Sequence, residues 1–397
     1  MAFRSLEELE VGGRRVLLRA DLNLPMREGQ VSDATRIERL VPTVKALVGR
    51  GARVVMISHF GRPKGRALPE MSLAAVVPAL SAALGQSVAF AEDCVGEKAA
   101  AVVAGLSDGE VALLENLRFH AGEEANDPDF AARLAELGDC YVNDAFSCAH
   151  RAHASTEALA RLLPAAAGLG MGAELRALGD ALETPERPLA ALIGGAKVST
   201  KLEVLNNLVT RVDVLIIGGG MANTFLHARG IDVGRSLCEH ELAETARDVE
   251  SRTRAAGCTI VLPDDVVVAD ELGEGVDFQT VATRAVPRQS MILDIGPESA
   301  RDLAARLEAC RTIVWNGPLG AFETPPFAAG TATVARAAAE LTAAGRLTSV
   351  AGGGDTLAAL AQAGAADDFS YLSTAGGAFL DWLAGKTLPG VAVLENP

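Results

Sequence analysis

Short apolar runs that stop in a polar or glycine loop, each followed by a helical pattern, recur along this chain, and nothing else in it narrows the fold as much. In the first half RVLLRA (Arg15 to Ala20) ends in Asp21-Leu22-Asn23-Leu24-Pro25, and ARVVMIS ends in His59-Phe60-Gly61-Arg62-Pro63-Lys64-Gly65. EVALLEN ends in Leu117-Arg118-Phe119-His120, and CYVND runs into Ala145 to His153. Helical patterns lie between them, such as SDATRIERLVPTVKALVGRG, which Ser32-Asp33 opens and Gly51 stops. Buried strands alternating with helices predict α/β architecture, a largely parallel, doubly wound sheet with helices on both faces. At 397 residues, 49% of them hydrophobic, the chain is long for one core, and two domains of roughly 150 to 200 residues are expected.

In such sheets ligands bind outside the carboxyl ends of the strands. At those ends, or in the helix after one, stand Asp21, Asn23, Arg36, His59, Arg62, Arg118 and Arg151. Any one arginine alone reads as a solvated charge or an ion pair. Four at equivalent topological places predict a basic basin for a small acid carrying phosphate or carboxylate groups, which arginine grips bidentately.

The second half keeps the same grammar but puts glycine where the first half puts arginine. RVDVLIIGGGMANTFL gives a strand, Gly218-Gly219-Gly220 and a helix, and RTIVWNGPLGAFE a strand and Asn316-Gly317-Pro318. RLTSVAGGGDTLAALA gives a strand and Gly352-Gly353-Gly354, with Asp355 and Thr356 opening a helix. DFSYLSTAGGAFLDWLAG repeats the device at Ser373 to Gly377. LAALIGGAKVSTKLEVL (Leu189 to Leu205) gives a strand, Gly194-Gly195 and a helix-like segment that sets Lys197 and Lys201 four residues apart on one face. That spacing is not a P-loop, and alone it fits a phosphate site and an ordinary turn equally well. Five such loops at one sheet edge point to a nucleotide polyphosphate. Asp355 beside those phosphates is placed to hold Mg2+ or to cap its helix.

The net charge of −15 argues against nucleic acid or an acidic membrane as the main partner. Six cysteines (Cys94, Cys140, Cys148, Cys238, Cys258, Cys310) include no C-x-x-C pair, so reduced thiols are expected. A zinc reading of His150 and His153 with Cys140 and Cys148 lacks a paired cysteine motif. MAFRSLEELE has charges where a signal peptide needs an apolar region, and no apolar run is long enough to cross a membrane. A soluble, cytoplasmic protein is expected.

Between Pro164 and Pro188 the pattern G-x-G-x-x-A at Gly168, Gly170 and Ala173 brings in a rival, a nicotinamide-dependent dehydrogenase. No β-branched strand precedes it and no acidic residue ends a following strand at the expected distance, so an alanine-rich helix connecting two domains fits better. The last residues, GKTLPGVAVLENP, are apolar and β-like; periodicity leaves open whether they pair with the second sheet or cross to the first.

Taken together the loops resemble those of the phosphoglycerate kinase family over nearly the whole chain. The likeness rests on RADLNLP at 19, SHFGRPKG at 58, LLENLRFH at 113, NDAFSCAHRAHAST at 143, GGAKVSTKLEVLNNL at 194, IIGGGMANTFL at 216, VWNGPLGAFE at 314, GGGDT at 352 and STAGGAF at 373. It implies a monomeric hinge kinase whose N-terminal half holds 3-phosphoglycerate or 1,3-bisphosphoglycerate and whose C-terminal half holds ADP or ATP with magnesium. The implied boundaries are 1–168 with 380–397, a hinge helix over 169–187, and 188–379. The resemblance assigns the acid to Asp21, Asn23, Arg36, His59, Arg62, Arg118 and Arg151. Nucleotide contacts go to Lys201, Glu323, Gly353, Gly354, Asp355 and Thr356: Glu323 takes the ribose and Asp355 the metal. Arg36, Lys197, Lys201, Gly353 and Gly354 face the transferring phosphate. It also folds the tail back onto the first domain. Phe60, Ser147-Cys148 and Ala375 depart from the commonest family pattern, and none of these removes a charge.

Overall fold

The apolar runs of the first half form six parallel strands: β1 (Arg15–Arg19), β2 (Arg53–Ile57), β3 (Val88–Ala91), β4 (Val111–Leu114), β5 (Cys140–Asn143) and β6 (Ala165–Ala167). Their order in the sheet is β3-β4-β2-β1-β5-β6. Helices cover the sheet because their apolar residues recur at helical spacing. In α1 (Thr35–Gly49) Ile37, Leu40, Val44 and Leu47 are buried and join Val16, Leu18, Val54 and Met56 of the strands in one core. At roughly 1.5 to 3 kcal/mol for each such side chain, this face outweighs helix propensity in deciding where α1 lies. The chain builds outward from β1 on one side, then β5 crosses to the other. That leaves a topological switch point between β1 and β5, where a crevice opens at the carboxyl ends.

The computed structural model describes residues 3 to 395. The chain divides into two units, one running to Arg176 and resuming at Thr387, the other Ala177 to Lys386. The second holds β7 (Leu189–Ile193), β8 (Val214–Ile217) and β9 (Thr259–Val261), then β13 (Thr312–Asn316), β14 (Thr348–Gly352) and β15 (Tyr371–Ser373). They are parallel in the order β9-β8-β7-β13-β14-β15, so its switch point lies between β7 and β13. Both sheets have the doubly wound form expected. A second small sheet was not expected: β10 (Asp265–Ala269), β11 (Phe278–Ala282) and β12 (Met291–Ile295) are antiparallel, with β10 in the middle. No helical pattern separates these three runs, so the strand-then-helix rule does not find them.

Helix α2 (Leu169–Leu182) fills most of the expected hinge segment, and the division between units falls within it. Position 380 falls inside the helix Gly376–Leu383, whose Leu383 carbonyl accepts from Asn207 Nδ2 at 2.8 Å within the second unit. The tail is not β-like along its length. Pro389 at the first helical position starts a single turn, Pro389–Ala392. The Gly390 N–H reaches the Ala149 carbonyl at 2.9 Å and the Arg4 N–H reaches Leu394 at 3.0 Å, which places the tail in the first unit. Residues 396 and 397 lie outside the described residues. Among the described residues the six cysteines are free and no helix is long and apolar enough to cross a membrane.

Candidate functional site

At the switch point of the first sheet a carboxylate spans the gap. Asp21, just past β1, accepts from the Ser147 hydroxyl at 2.6 Å and from Arg36 at 2.9 Å. Ser147 follows β5, so the contact crosses the crevice, and this departure from the family pattern has a definite task. Arg36, in the first turn of α1, also donates to the Asn23 carbonyl at 2.9 Å. The Asn23 side chain accepts from the Gly61 N–H at 2.9 Å, and Arg118 donates to the Gly61 carbonyl at 2.8 Å. Asn116 pins the same loop through both backbone groups of Phe60, at 3.1 and 2.7 Å. Asp21, Arg36, Asn23 and Arg118 thus form one hydrogen-bonded chain that passes through Gly61 of the β2 loop. Arg62 is exposed one residue past Gly61. Arg151 is half-buried and close enough to depress the basicity of both His59 and Arg118. The Arg36–Asp21 pair is partly exposed, so it is worth at most about 1 kcal/mol and can be exchanged for an incoming anion.

One residue here has no counterpart in the sequence reading. Arg19, the last residue of β1, is 1% exposed and lies beneath His59 with its Nη2 3.0 Å from Nδ1. A charged residue at the carboxyl end of a strand whose middle is apolar was its only signal.

In the second unit the two lysines do not share a helical face. The segment after β7 is loop, and α3 (Leu202–Leu208) begins only beyond Lys201. The Ser199 N–H donates to Glu239 Oε2 at 3.0 Å and not to a carbonyl one helical turn back. Lys197 is exposed. Lys201 turns inward and bridges the β7/β13 switch point: Nζ donates to the Gly194 carbonyl at 2.6 Å, the Asn316 carbonyl at 3.1 Å and Asn316 Oδ1 at 2.5 Å. Burial lowers its pKa to about 8, partly countered by Asp355.

Beside it opens a cavity of about 370 Å³ lined by Gly195, Gly220, Leu237, Leu293, Glu323 and Asp355 among others. The turn after β8 starts α4 (Gly219–Ala228), and a deeper wall comes from Asp294 on β12. Asp294 accepts from the Gly330 N–H at 2.7 Å, capping α5 (Ala329–Ala343), and burial pushes it up to about 7. Gly353 precedes α6 (Gly354–Gln362) at φ +99°, and a Cβ there would stand 2.8 Å from Asn316 Nδ2; glycine is required on both counts. Asp355 is exposed in the first turn of α6. Thr356 is buried, its hydroxyl accepting from the Gly317 N–H at 2.7 Å and donating to the Gly352 carbonyl at 2.8 Å. It shapes the loop with its side chain and has only its backbone left to offer a ligand. The carboxylate of Asp355 beside Lys201 suits Mg2+, which takes one or two carboxylates together with phosphate oxygens.

The glycine pattern at 168 to 173 has a different use. The strand that precedes it is not β-branched: three alanines of β6 pair along the edge of β5. A Cβ on Gly168 would lie 2.4 Å from Asp144 Oδ1, and that oxygen accepts from the Met171 N–H at 2.8 Å. The start of α2 is therefore occupied by the protein's own carboxylate, which burial raises to about 6. The zinc reading also fails: Cys140 is in the core, while Cys148 lies against Arg19, His59 and Ser147. Among the described residues Asp93, Cys94 and His120 approach one another. There His120 donates to Asp93 at 2.8 Å, which also accepts from the Cys94 N–H at 2.7 Å, and burial holds the thiol protonated.

A family model described as "Phosphoglycerate kinase" matches residues 6–386. Phosphoglycerate kinase from Ruegeria sp. (strain TM1040) is 60% identical over 396 residues, covering 100% of both chains. That of one strain of Methylorubrum extorquens is 60% identical over 394 residues, 99% of this chain and 98% of the relative. Among solved structures, phosphoglycerate kinase from Coxiella burnetii superposes with a TM-score of 0.92 at 42% identity, covering 99% of this chain and 98% of the other. Phosphoglycerate kinase from Pyrococcus horikoshii OT3 gives 0.83 at 32% identity, covering 98% of each.

Proposed function

The chain belongs to the phosphoglycerate kinase family, and from that premise we propose which residues carry the reaction. That reaction is reversible transfer of a phosphoryl group from the acyl phosphate of 1,3-bisphosphoglycerate to ADP, giving ATP and 3-phosphoglycerate. In our reading the acid sits in the basin of Asp21, Asn23, Arg36, His59, Arg62, Arg118 and Arg151. The nucleotide lies in the glycine-walled cavity, its ribose at Glu323 and its phosphates at Lys201, Gly353, Gly354, Asp355 and the Thr356 backbone. Asp355 would hold magnesium, which when bound neutralises phosphate charge. The enzyme works as a monomer in the cytoplasm.

The acceptor in the reverse direction is a carboxylate, ionised at neutral pH, so no general base is needed. What remains is to position the reactants and to meet charge on the transferring oxygens. Arg36, Lys197, Lys201 and the N–H groups at the Gly353-Gly354 end of α6 do this. The observation that carries the reading is that each sheet gathers its polar loops at its own switch point, arginines in one unit and glycines with a lysine in the other. In-line transfer then requires the units to close about the α2 connection and exclude water. Small-angle scattering tests this step: the radius of gyration should fall when both substrates are present and stay near the free value with either alone. An unchanged radius in the ternary complex would sink the closure.

A further inference from the structure

The guanidinium of Arg19 is buried without touching a carboxylate, yet all five of its N–H groups have acceptors. Nε donates to the Ser155 hydroxyl at 2.9 Å; Nη1 donates to the Ala20 carbonyl and reaches Ser58 Oγ at 3.5 Å. Nη2 donates to His59 Nδ1 at 3.0 Å and to Cys148 Sγ at 3.6 Å. The nearest carboxyl group stands one residue further away: the Ser155 hydroxyl donates to Glu123 Oε1 at 2.6 Å, and the Ser155 N–H donates to Oε2 at 2.9 Å. Glu123 is fully buried. The chain Glu123–Ser155–Arg19–His59 therefore runs from a carboxyl group under the sheet edge to a ring in the proposed acid site.

A guanidinium has donors only and stays charged at every workable pH. The nitrogen it faces must accept, and a ring that accepts at Nδ1 carries its proton on Nε2. We propose that Arg19 is a positioning residue that locks His59 in the neutral Nε2–H tautomer, so that this ring offers the acid a directed hydrogen bond and no charge. This rests on the placement of the acid at the β2 loop given above.

The other groups facing His59 act in the same direction. Burial first, then Arg19, Arg118, His153 and Arg151, hold its pKa far below the usual histidine range. His153 is itself lowered to about 4 by burial, so it stays neutral alongside. Cys148, 3.8 Å from Nδ1, is kept a thiol by burial and adds no negative charge. The cationic work of the basin falls to the arginines, and the site's grip on its acid does not weaken as a histidine loses its proton near neutrality.

The test is nitrogen-15 correlation spectroscopy of the histidine rings of the full-length enzyme between pH 5.5 and 8, with His59 assigned by its loss in His59→Gln. The expected result is a protonated Nε2, an unprotonated Nδ1 and no titration. In Arg19→Gln, whose amide can either donate or accept, the Nδ1–H tautomer should appear in the spectrum while burial and the remaining arginines keep the ring neutral, and the KM for 3-phosphoglycerate should rise about 10-fold. Both His59→Gln and His59→Asn should raise the KM for 3-phosphoglycerate, His59→Gln the less because its amide nitrogen replaces Nε2 whereas that of His59→Asn replaces only Nδ1. In the unaltered enzyme an Nδ1–H tautomer, or a His59 signal that titrates, overturns the lock without requiring any variant to fold. A His59 signal that fails to move on adding 3-phosphoglycerate overturns instead the placement of the acid.

Discussion

In the first sheet the gap between β1 and β5 is spanned by a carboxylate, Asp21, held by Ser147 on one side and Arg36 on the other. In the second the gap between β7 and β13 is spanned by an ammonium, Lys201, held by carbonyl and amide oxygens alone. The same topology has thus been fitted out in opposite ways. Where the cations are arginines on several loops, a carboxylate aims one of them, Arg36, before any ligand arrives. Where the walls are glycine, the backbone supplies the donors, and one lysine is kept close on neutral oxygens. Arg19 and Lys201 extend the contrast, since each is a cation without a carboxylate in contact, the first buried and the second half-buried. The arginine cannot lose its charge, whereas the lysine, lowered to about 8, can.

The largest expected effect breaks the first half of that comparison. Arg36→Ala should lower kcat by roughly 10² to 10³, the usual loss for one donor to a developing charge. A rise in KM alone would make Arg36 a ground-state binder and Asp21 a mere clamp. Next come the two buried carboxylates that cap helices, Asp144 in the first unit and Asp294 in the second. Their pKa values are raised to about 6 and about 7, so each favours the fold while protonated. Its contribution is full below about 4 and is lost as pH rises through the folded value. Relative to wild type, Asp144→Asn should therefore gain on the order of 2 kcal/mol between pH 4.5 and 7.5, read by urea denaturation. Asp294→Asn should gain over a window reaching higher. Identical pH slopes in variant and parent would show that the caps are not protonated in the fold.

A smaller effect concerns the metal. Asp355→Ala should raise the magnesium needed for half-maximal rate by roughly 10-fold, and an unaltered magnesium dependence removes Asp355 from that role. Smallest is the alkaline side of the rate profile. The kcat/KM for the nucleotide should fall about fourfold by pH 8.5 as Lys201 loses its proton, and Lys201→Arg should flatten the profile. A wild-type profile level to pH 9 would mean that the lysine stays charged on its carbonyls, as the arginine does.

The parts of the fold that were legible are those where one strand, one loop and one helix follow each other in sequence. Arg118 and Gly353 could be placed that way because β4 and β14 each end at a visible change of composition. What was hidden depended on partners far along the chain. Arg19 looks like the end of a strand until Ser155 and His59, 136 and 40 residues on, close around it. Lys197 and Lys201 fit a helical period, but the segment is loop, and Ser199 within it bonds to Glu239, 40 residues away. The antiparallel strands β10 to β12 carry branched apolar residues like their parallel neighbours, and only pairing tells them apart. Gly168 and Gly170 carried a real signal of close approach to an anion; the anion is Asp144, supplied from β5.

That last arrangement has a meaning for selectivity. A helix start lined with glycine binds whichever anion is most abundant, with little regard for shape. Asp144 is a tethered competitor, present at an effective concentration no dissolved phosphate matches. By filling this helix start with its own carboxylate, the molecule closes an anion site that the glycines would otherwise leave open.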